Sequence, residues 1–90
     1  MSKLLPLEEL LDGLAEECCE LGQAALKLRR VFDGTNPTPK TEEEAIDRFE
    51  EEIADVYLYL EQIDYSSAHV SEIMVQKRNR WERRLNHDAG

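Results

Sequence analysis

Apolar residues recur every three or four positions in three separate stretches of the chain, which is the periodicity of α-helices that bury one face. In the first stretch, a glutamate occupies a place where this pattern calls for leucine. We predict a helix from about Pro6 to about Val31, followed by a loop that contains Gly34. Its inward-facing positions, called the α1 seam below, are Leu10, Leu14, Glu17, Leu21, Ala24, Leu28 and Val31.

Two further helices follow the loop. The segment "TEEEAIDRFEEEIADVYLYLEQI" opens with a capping box, in which Thr41 caps the helix and Glu44 reaches back to it. Its apolar stripe is Ile46, Phe49, Ile53, Val56, Leu60 and Ile63. After "DYSS", a third helix is predicted with Ser66 or Ser67 as its cap. Its inner face is Val70, Ile73, Met74, Trp81 and Leu85.

The pattern therefore predicts an all-α fold in a single domain over residues 1–90, with three main helices that form a helical bundle. A chain of 90 residues buries only roughly 60–65% of its unfolded surface, so its own core is thin. Ala54 and Leu58 lie opposite the main stripe of the second helix and would stay exposed in a monomer. We expect a homodimer that completes a four-helix-type core, and assembly of two dimers into a tetramer stays open.

The amino-acid composition limits the kinds of partner that the chain is expected to bind. The formal net charge of −9 repels a phosphate polymer, so we expect no binding to nucleic acid. No apolar run approaches the roughly 20 residues of a membrane span, and no secretory signal is visible, so we expect no membrane association and a cytoplasmic location. Cys18 and Cys19 are adjacent and are expected to be reduced thiols.

Acidic pairs three residues apart occur on both of the first two helices. At about 100° per residue, Glu17 lies about 20° from the centre of the α1 seam and Glu20 about 80° from it. On the second helix, Glu52 borders the apolar stripe and Asp55 lies about 60° further round. Facing carboxylates near an interface repel each other and favour a bound cation.

The donor set indicates which cation is expected. Carboxylates without a supporting cysteine or histidine favour Mg²⁺, with Mn²⁺ as a substitute, over zinc. A ferritin-like di-iron centre is not expected, because the chain has no Glu-x-x-His motif. Acidic pairs also arise by chance in an acidic chain, and solvated helix faces are the alternative interpretation.

The motifs "EECCE" at 16–20 and "EIAD" at 52–55 resemble those of the MazG-like all-α nucleoside triphosphate pyrophosphohydrolases, which carry E-E-x-x-E on one helix and E-x-x-D on the next. The phrases "EECCELGQAALKLRR", "NPTPKTEEEA", "EEEIADV" and "KRNRWERRL" extend the resemblance over essentially the whole chain. It implies hydrolysis of a nucleoside triphosphate to the monophosphate and pyrophosphate, in an assembly built on a dimer. It also implies a Mg²⁺ site with Glu16 in a supporting role and, as ligands, Glu17, Glu20, Glu52 and Asp55.

The resemblance gives further residues a candidate role. One or more Mg²⁺ ions held by the four carboxylates would position and activate a water, and Glu16 or Glu17 is the candidate general base. Candidate contacts to the triphosphate or nucleotide are Lys27, Asn36, Lys77 and Arg80. Three of them have a plain structural alternative: Lys27 and Lys77 as lysines whose stems pack against apolar surface, and Asn36 as a loop residue. We expect Trp81 to be a core residue rather than a platform for a base.

Two other function classes remain open at the level of sequence. One is a catalytically silent helical adaptor whose acids only confer solubility. The other is a nucleotide- or metal-binding sensor that retains the site without turnover. The motifs do not indicate which nucleotide is the substrate.

Overall fold

The computed structural model describes residues 5–35 and 41–89, and three α-helices account for nearly all of them. They are α1 (Leu7–Asp33), α2 (Glu42–Gln62) and α3 (Ser67–Ala89). No strand occurs in these two ranges, which confirms the predicted all-α class. None of the described helices is long and apolar enough to cross a membrane.

Local capping explains where each helix begins or ends. Gly34 follows α1 with φ 77°, and its backbone N–H donates to the carbonyl of Arg30. Glycine adopts this left-handed conformation without steric cost, so α1 ends there. At the start of α2, the Glu44 N–H donates to Thr41 Oγ1 at 3.1 Å, as the capping box predicts. The His69 N–H donates to Ser66 Oγ at 3.2 Å, which identifies Ser66 as the cap of α3.

Helices α1 and α2 pack against each other as an antiparallel hairpin. Two contacts show that the helices are antiparallel. Gly13, in the first half of α1, meets Tyr59, near the end of α2. Lys27, near the end of α1, lines the same cavity as Arg48, near the start of α2. Few apolar residues of the described ranges are buried, two of them are alanines, and the rest of the α1 seam is only half-buried. The buried apolar set is Leu10, Ala24, Ala45 and Val56.

Helix α3 packs against neither of the other two described helices. Neither α1 nor α2 therefore covers its predicted inner face, and Trp81 and Leu85 are each 67% exposed. The expectation that Trp81 lies in a core is not met within one protomer. The radius of gyration is 17.0 Å, whereas a compact chain of this length has about 12 Å.

A close approach between the two hairpin helices depends on Gly13. A Cβ atom built there would overlap the ring of Tyr59, whereas a Cβ atom at Gly22 would meet nothing within 4 Å. The bare backbone at Gly13 thus lets the tyrosine ring lie against α1. Gly13 and Gly22 both lie inside α1, so the effects of an alanine substitution at the two positions can be compared directly.

We expect Gly22→Ala to raise the free energy of unfolding by up to about 1 kcal/mol, because alanine is the better helix former. Gly13→Ala gains the same propensity but must displace the Tyr59 ring, and overpacking of this kind costs roughly 1–3 kcal/mol. Urea denaturation of the two variants measures the difference. An equal gain from both substitutions would contradict the close packing of Tyr59 on Gly13.

Candidate metal centre

The hairpin brings three carboxylates from two helices into one cluster, which we call the acidic cluster. One side-chain oxygen each of Glu17, Glu20 and Glu52 lies within 4.8 Å of the other two. Glu52 is 1% exposed, Glu17 is half-buried and Glu20 is exposed. The order along α1, with Glu17 further inside than Glu20, agrees with the angles calculated from the sequence.

The other acidic candidates lie further from this centre. Asp55 is half-buried, and its charge acts on Glu17, but it is not one of the three residues whose oxygens meet. Glu16 is exposed and lies outside the cluster. The structure therefore brings three of the four predicted ligands together. The fourth, Asp55, is close enough for its charge to act on Glu17.

Burial and like charges act together on Glu17. Loss of solvent raises the pKa of its carboxyl group above the ordinary value, and the neighbouring charges of Glu20, Asp55 and Glu52 raise the pKa further. Both effects disfavour the ionised form. In the metal-free protein the acidic cluster is thus a source of strain, which a cation would relieve.

Two buried oxygens of the cluster lack any hydrogen-bond partner among the described residues. They are Oε2 of Glu17 and Oε2 of Glu52. Buried polar atoms are usually paired, and an orphaned carboxylate oxygen is a position where an unseen ion fits. Oxygens bound to one Mg²⁺ or Ca²⁺ ion lie at most about 4–5 Å apart, given metal–oxygen distances of about 2.1–2.5 Å. The spacing and the all-oxygen donor set fit a hard divalent cation.

The sequence analysis missed one residue of this centre, Arg48. Its Nη2 lies 2.7 Å from Oε1 of Glu52, so one oxygen of the buried carboxylate is paired and the other is free. Arg48 is about half exposed and also lies 3.9 Å from Glu51. The available signal was the i, i+4 spacing of Arg48 and Glu52, which places both on one helix face.

A surface cavity of about 310 Å³ adjoins the acidic cluster. Its lining includes Glu20 of the acidic cluster and the two cations Lys27 and Arg48. Lys27, an exposed residue, is thus the predicted substrate contact that the hairpin brings next to the acids. A ligand that carries both a metal and an anionic group matches this pairing of charges.

The remaining predicted contacts are not brought to the acidic cluster. Lys77 and Arg80 lie on α3 and line a surface cavity there with Trp81, away from α1 and α2. Asn36 lies outside the described residues. No protein-family model matches the sequence, and no similar curated protein or solved structure was found.

We expect Arg48→Met to lower the free energy of unfolding by roughly 1–3 kcal/mol in the absence of divalent metal, because it leaves a buried carboxylate unpaired. Mg²⁺ should recover part of the loss, since a cation replaces the lost charge. Glu51→Gln is the control, because it removes only the longer ion pair of the same arginine. Thermal melts with EDTA and with Mg²⁺ measure both variants, and a metal-independent loss would contradict a shared site.

A second expectation follows from the raised pKa of Glu17. The folded protein binds this proton more tightly than the unfolded chain, so stability falls as pH rises above the ordinary value of 4.5. Glu17→Gln should therefore raise the melting temperature of the metal-free protein at pH 7, and the gain should vanish near pH 4. Melts over this pH range test it against Glu50→Gln, an exposed carboxylate outside the cluster. A variant less stable than wild type at pH 7 would be the opposite result.

Proposed function

We propose that this protein is a Mg²⁺-dependent nucleotide pyrophosphohydrolase, which cleaves a nucleoside triphosphate to the monophosphate and pyrophosphate. The observation that carries the proposal is the acidic cluster, in which two antiparallel helices direct carboxylates at one another and leave two buried oxygens unpartnered. The order and spacing of "EECCE" and "EIAD", which resemble the MazG-like motifs, supply the reaction class.

The carboxylates would hold the ion through Glu17, Glu20 and Glu52, with Asp55 beside them. Mg²⁺, when bound, neutralises phosphate charge and lowers the pKa of a bound water. The water oxygen forms a bond to the α-phosphorus, and the bond from that phosphorus to the bridging oxygen breaks, which releases pyrophosphate. The water proton passes to a carboxylate, for which Glu16 is the candidate free of the cluster and Glu17 is the alternative.

Lys27 and Arg48 have a separate task in this proposal. They border the cavity beside the cluster, where their charges would balance a triphosphate that the carboxylates alone repel. Arg48 carries an additional role, because it already pairs with Glu52. A contact of Lys77 or Arg80 with the nucleotide requires an assembly, since α3 meets neither hairpin helix within the chain. We therefore include the homodimer in the proposal.

The proposed setting is the cytoplasm. Cys18 and Cys19 are free and exposed, and exposed thiols of this kind persist in a reducing compartment. The choice of nucleotide is not part of the proposal, because the acidic motifs do not indicate a base.

The test is release of pyrophosphate from a panel of ribo-, deoxyribo- and modified triphosphates with Mg²⁺. We expect turnover on at least one substrate and a loss of about 100-fold or more in Glu17→Ala and Asp55→Ala, as for removal of a metal-site carboxylate. Glu50→Ala, an exposed acid outside the cluster, should retain full activity.

Three outcomes separate the alternatives. Equal activity in all variants would overturn the assigned site. A Mg²⁺-dependent rise in melting temperature without turnover on any substrate would indicate a metal- or nucleotide-binding protein. Saturating ligand at one hundred times its dissociation constant stabilises a fold by about 2.7 kcal/mol, so binding is readily detected. An absence of both turnover and metal response would favour the silent adaptor.

A further inference from the structure

Arg48 pairs with one oxygen of the buried Glu52 carboxylate and leaves the other oxygen without a partner. Its Nη2 lies 2.7 Å from Oε1 of Glu52, whereas Oε2 has no hydrogen-bond partner among the described residues. The Glu52 side chain is 2% exposed, so bulk water cannot take the place of a partner. The buried carboxylate therefore has a single oxygen to offer a cation in the acidic cluster.

The helix and the shape of the guanidinium group hold this pairing in place. Arg48 and Glu52 are four residues apart on α2, the spacing at which two side chains of a helix are neighbours. The second terminal nitrogen of Arg48, Nη1, lies 3.9 Å from Oε2 of Glu51, which is exposed. Because arginine presents its donors in a rigid planar fork, one donor can bind Oε1 of Glu52 while the others face the exposed side.

The number of oxygens that a carboxylate offers discriminates between divalent cations. Ca²⁺ takes about six to eight oxygen ligands and often binds a carboxylate through both of its oxygens. Mg²⁺ is smaller, requires nearly octahedral geometry and keeps several of its waters, so one oxygen from each carboxylate is sufficient. A carboxylate with one oxygen already paired is thus a poorer ligand for Ca²⁺ than for Mg²⁺.

We propose that Arg48 is a specificity-determining residue of the metal site, which selects Mg²⁺ over Ca²⁺ because it prevents Glu52 from binding a cation through both oxygens. Arg48 acts through Glu52 and does not touch the cation, so it is a positioning residue. The inference rests on the metal site of the proposed function and not on the hydrolysis. It gives the choice of Mg²⁺ a cause in this chain, since three carboxylates by themselves suit either ion.

The experiment titrates the full-length, metal-free protein with Mg²⁺ and with Ca²⁺ at pH 7, in the absence of nucleotide, and measures each dissociation constant by calorimetry. The decisive quantity is the ratio of the Ca²⁺ constant to the Mg²⁺ constant. We expect the wild type to bind Mg²⁺ at least as tightly as Ca²⁺. Arg48→Met frees the second oxygen of Glu52 and should lower the ratio about 10-fold or more, as is usual when a metal ligand loses its outer partner.

Two matched variants separate the pairing with Glu52 from a general effect of charge. Lys27→Met removes the other cation of the cavity beside the acidic cluster and leaves Arg48 paired. Because Mg²⁺ and Ca²⁺ carry the same charge, this variant should tighten the binding of both ions and keep the wild-type ratio. Glu51→Gln removes only the longer ion pair of Arg48 and should also keep the ratio. Circular dichroism checks that each variant is helical.

Several results would overturn this inference. They are an unchanged ratio in Arg48→Met, an equal fall of the ratio in Lys27→Met, and a wild type that binds Ca²⁺ more tightly than Mg²⁺. The last result needs no variant, so the test stays decisive if Arg48→Met does not fold. Binding of neither ion to the wild type would overturn the metal site together with the inference. Pyrophosphate release does not enter the test, so selection of Mg²⁺ by a protein without turnover would support the inference and contradict only the proposed hydrolysis.

Discussion

The interaction on which the hairpin depends is the burial of the Glu52 carboxylate between α1 and α2. This group is 1% exposed, and only one of its oxygens is paired, at 2.7 Å from Arg48. A buried charge is tolerated when it is paired and fully hydrogen-bonded, and Glu52 meets that condition only in part. Because Glu17 and Glu20 face it across the helix interface, the packing of the two helices is coupled to the state of charge of the acidic cluster.

The small apolar core makes this coupling strong. Two of the four buried apolar residues in the described parts of the chain are alanines, so little hydrophobic free energy is available to offset repulsion between the acids. A larger apolar core would offset the repulsion within the acidic cluster without a bound cation or a second protomer. Here the proposed cation would offset the repulsion between the acids, and the proposed second protomer would add buried apolar area.

Much of the local structure could be predicted from sequence because its causes are local. The three helices, the Thr41 cap and the inward position of Glu17 follow from periodicity and from side-chain chemistry within a few residues. The predictions were less complete where the cause lies across the helix interface. Glu52 was placed at the border of its stripe, but contact with α1 buries it, and its pairing with Arg48 was missed because Arg48 was not considered as a partner. The packing of Tyr59 on Gly13 likewise depends on the register of the hairpin.

The packing of α3 could not be predicted from the sequence for a different reason. A helical wheel identifies an apolar face without identifying what covers it, and the same five-residue face fits a bundle within one chain or between chains. The decisive fact is spatial, since α3 meets neither α1 nor α2 in the described residues. An apolar face that the described helices do not cover is a surface for a partner, and the proposed homodimer would supply one. The acidic cluster differs from α3 in this respect, because it is buried within the hairpin and yet two of its oxygens have no hydrogen-bond partner among the described residues. What it lacks is therefore a ligand of opposite charge rather than a packing partner.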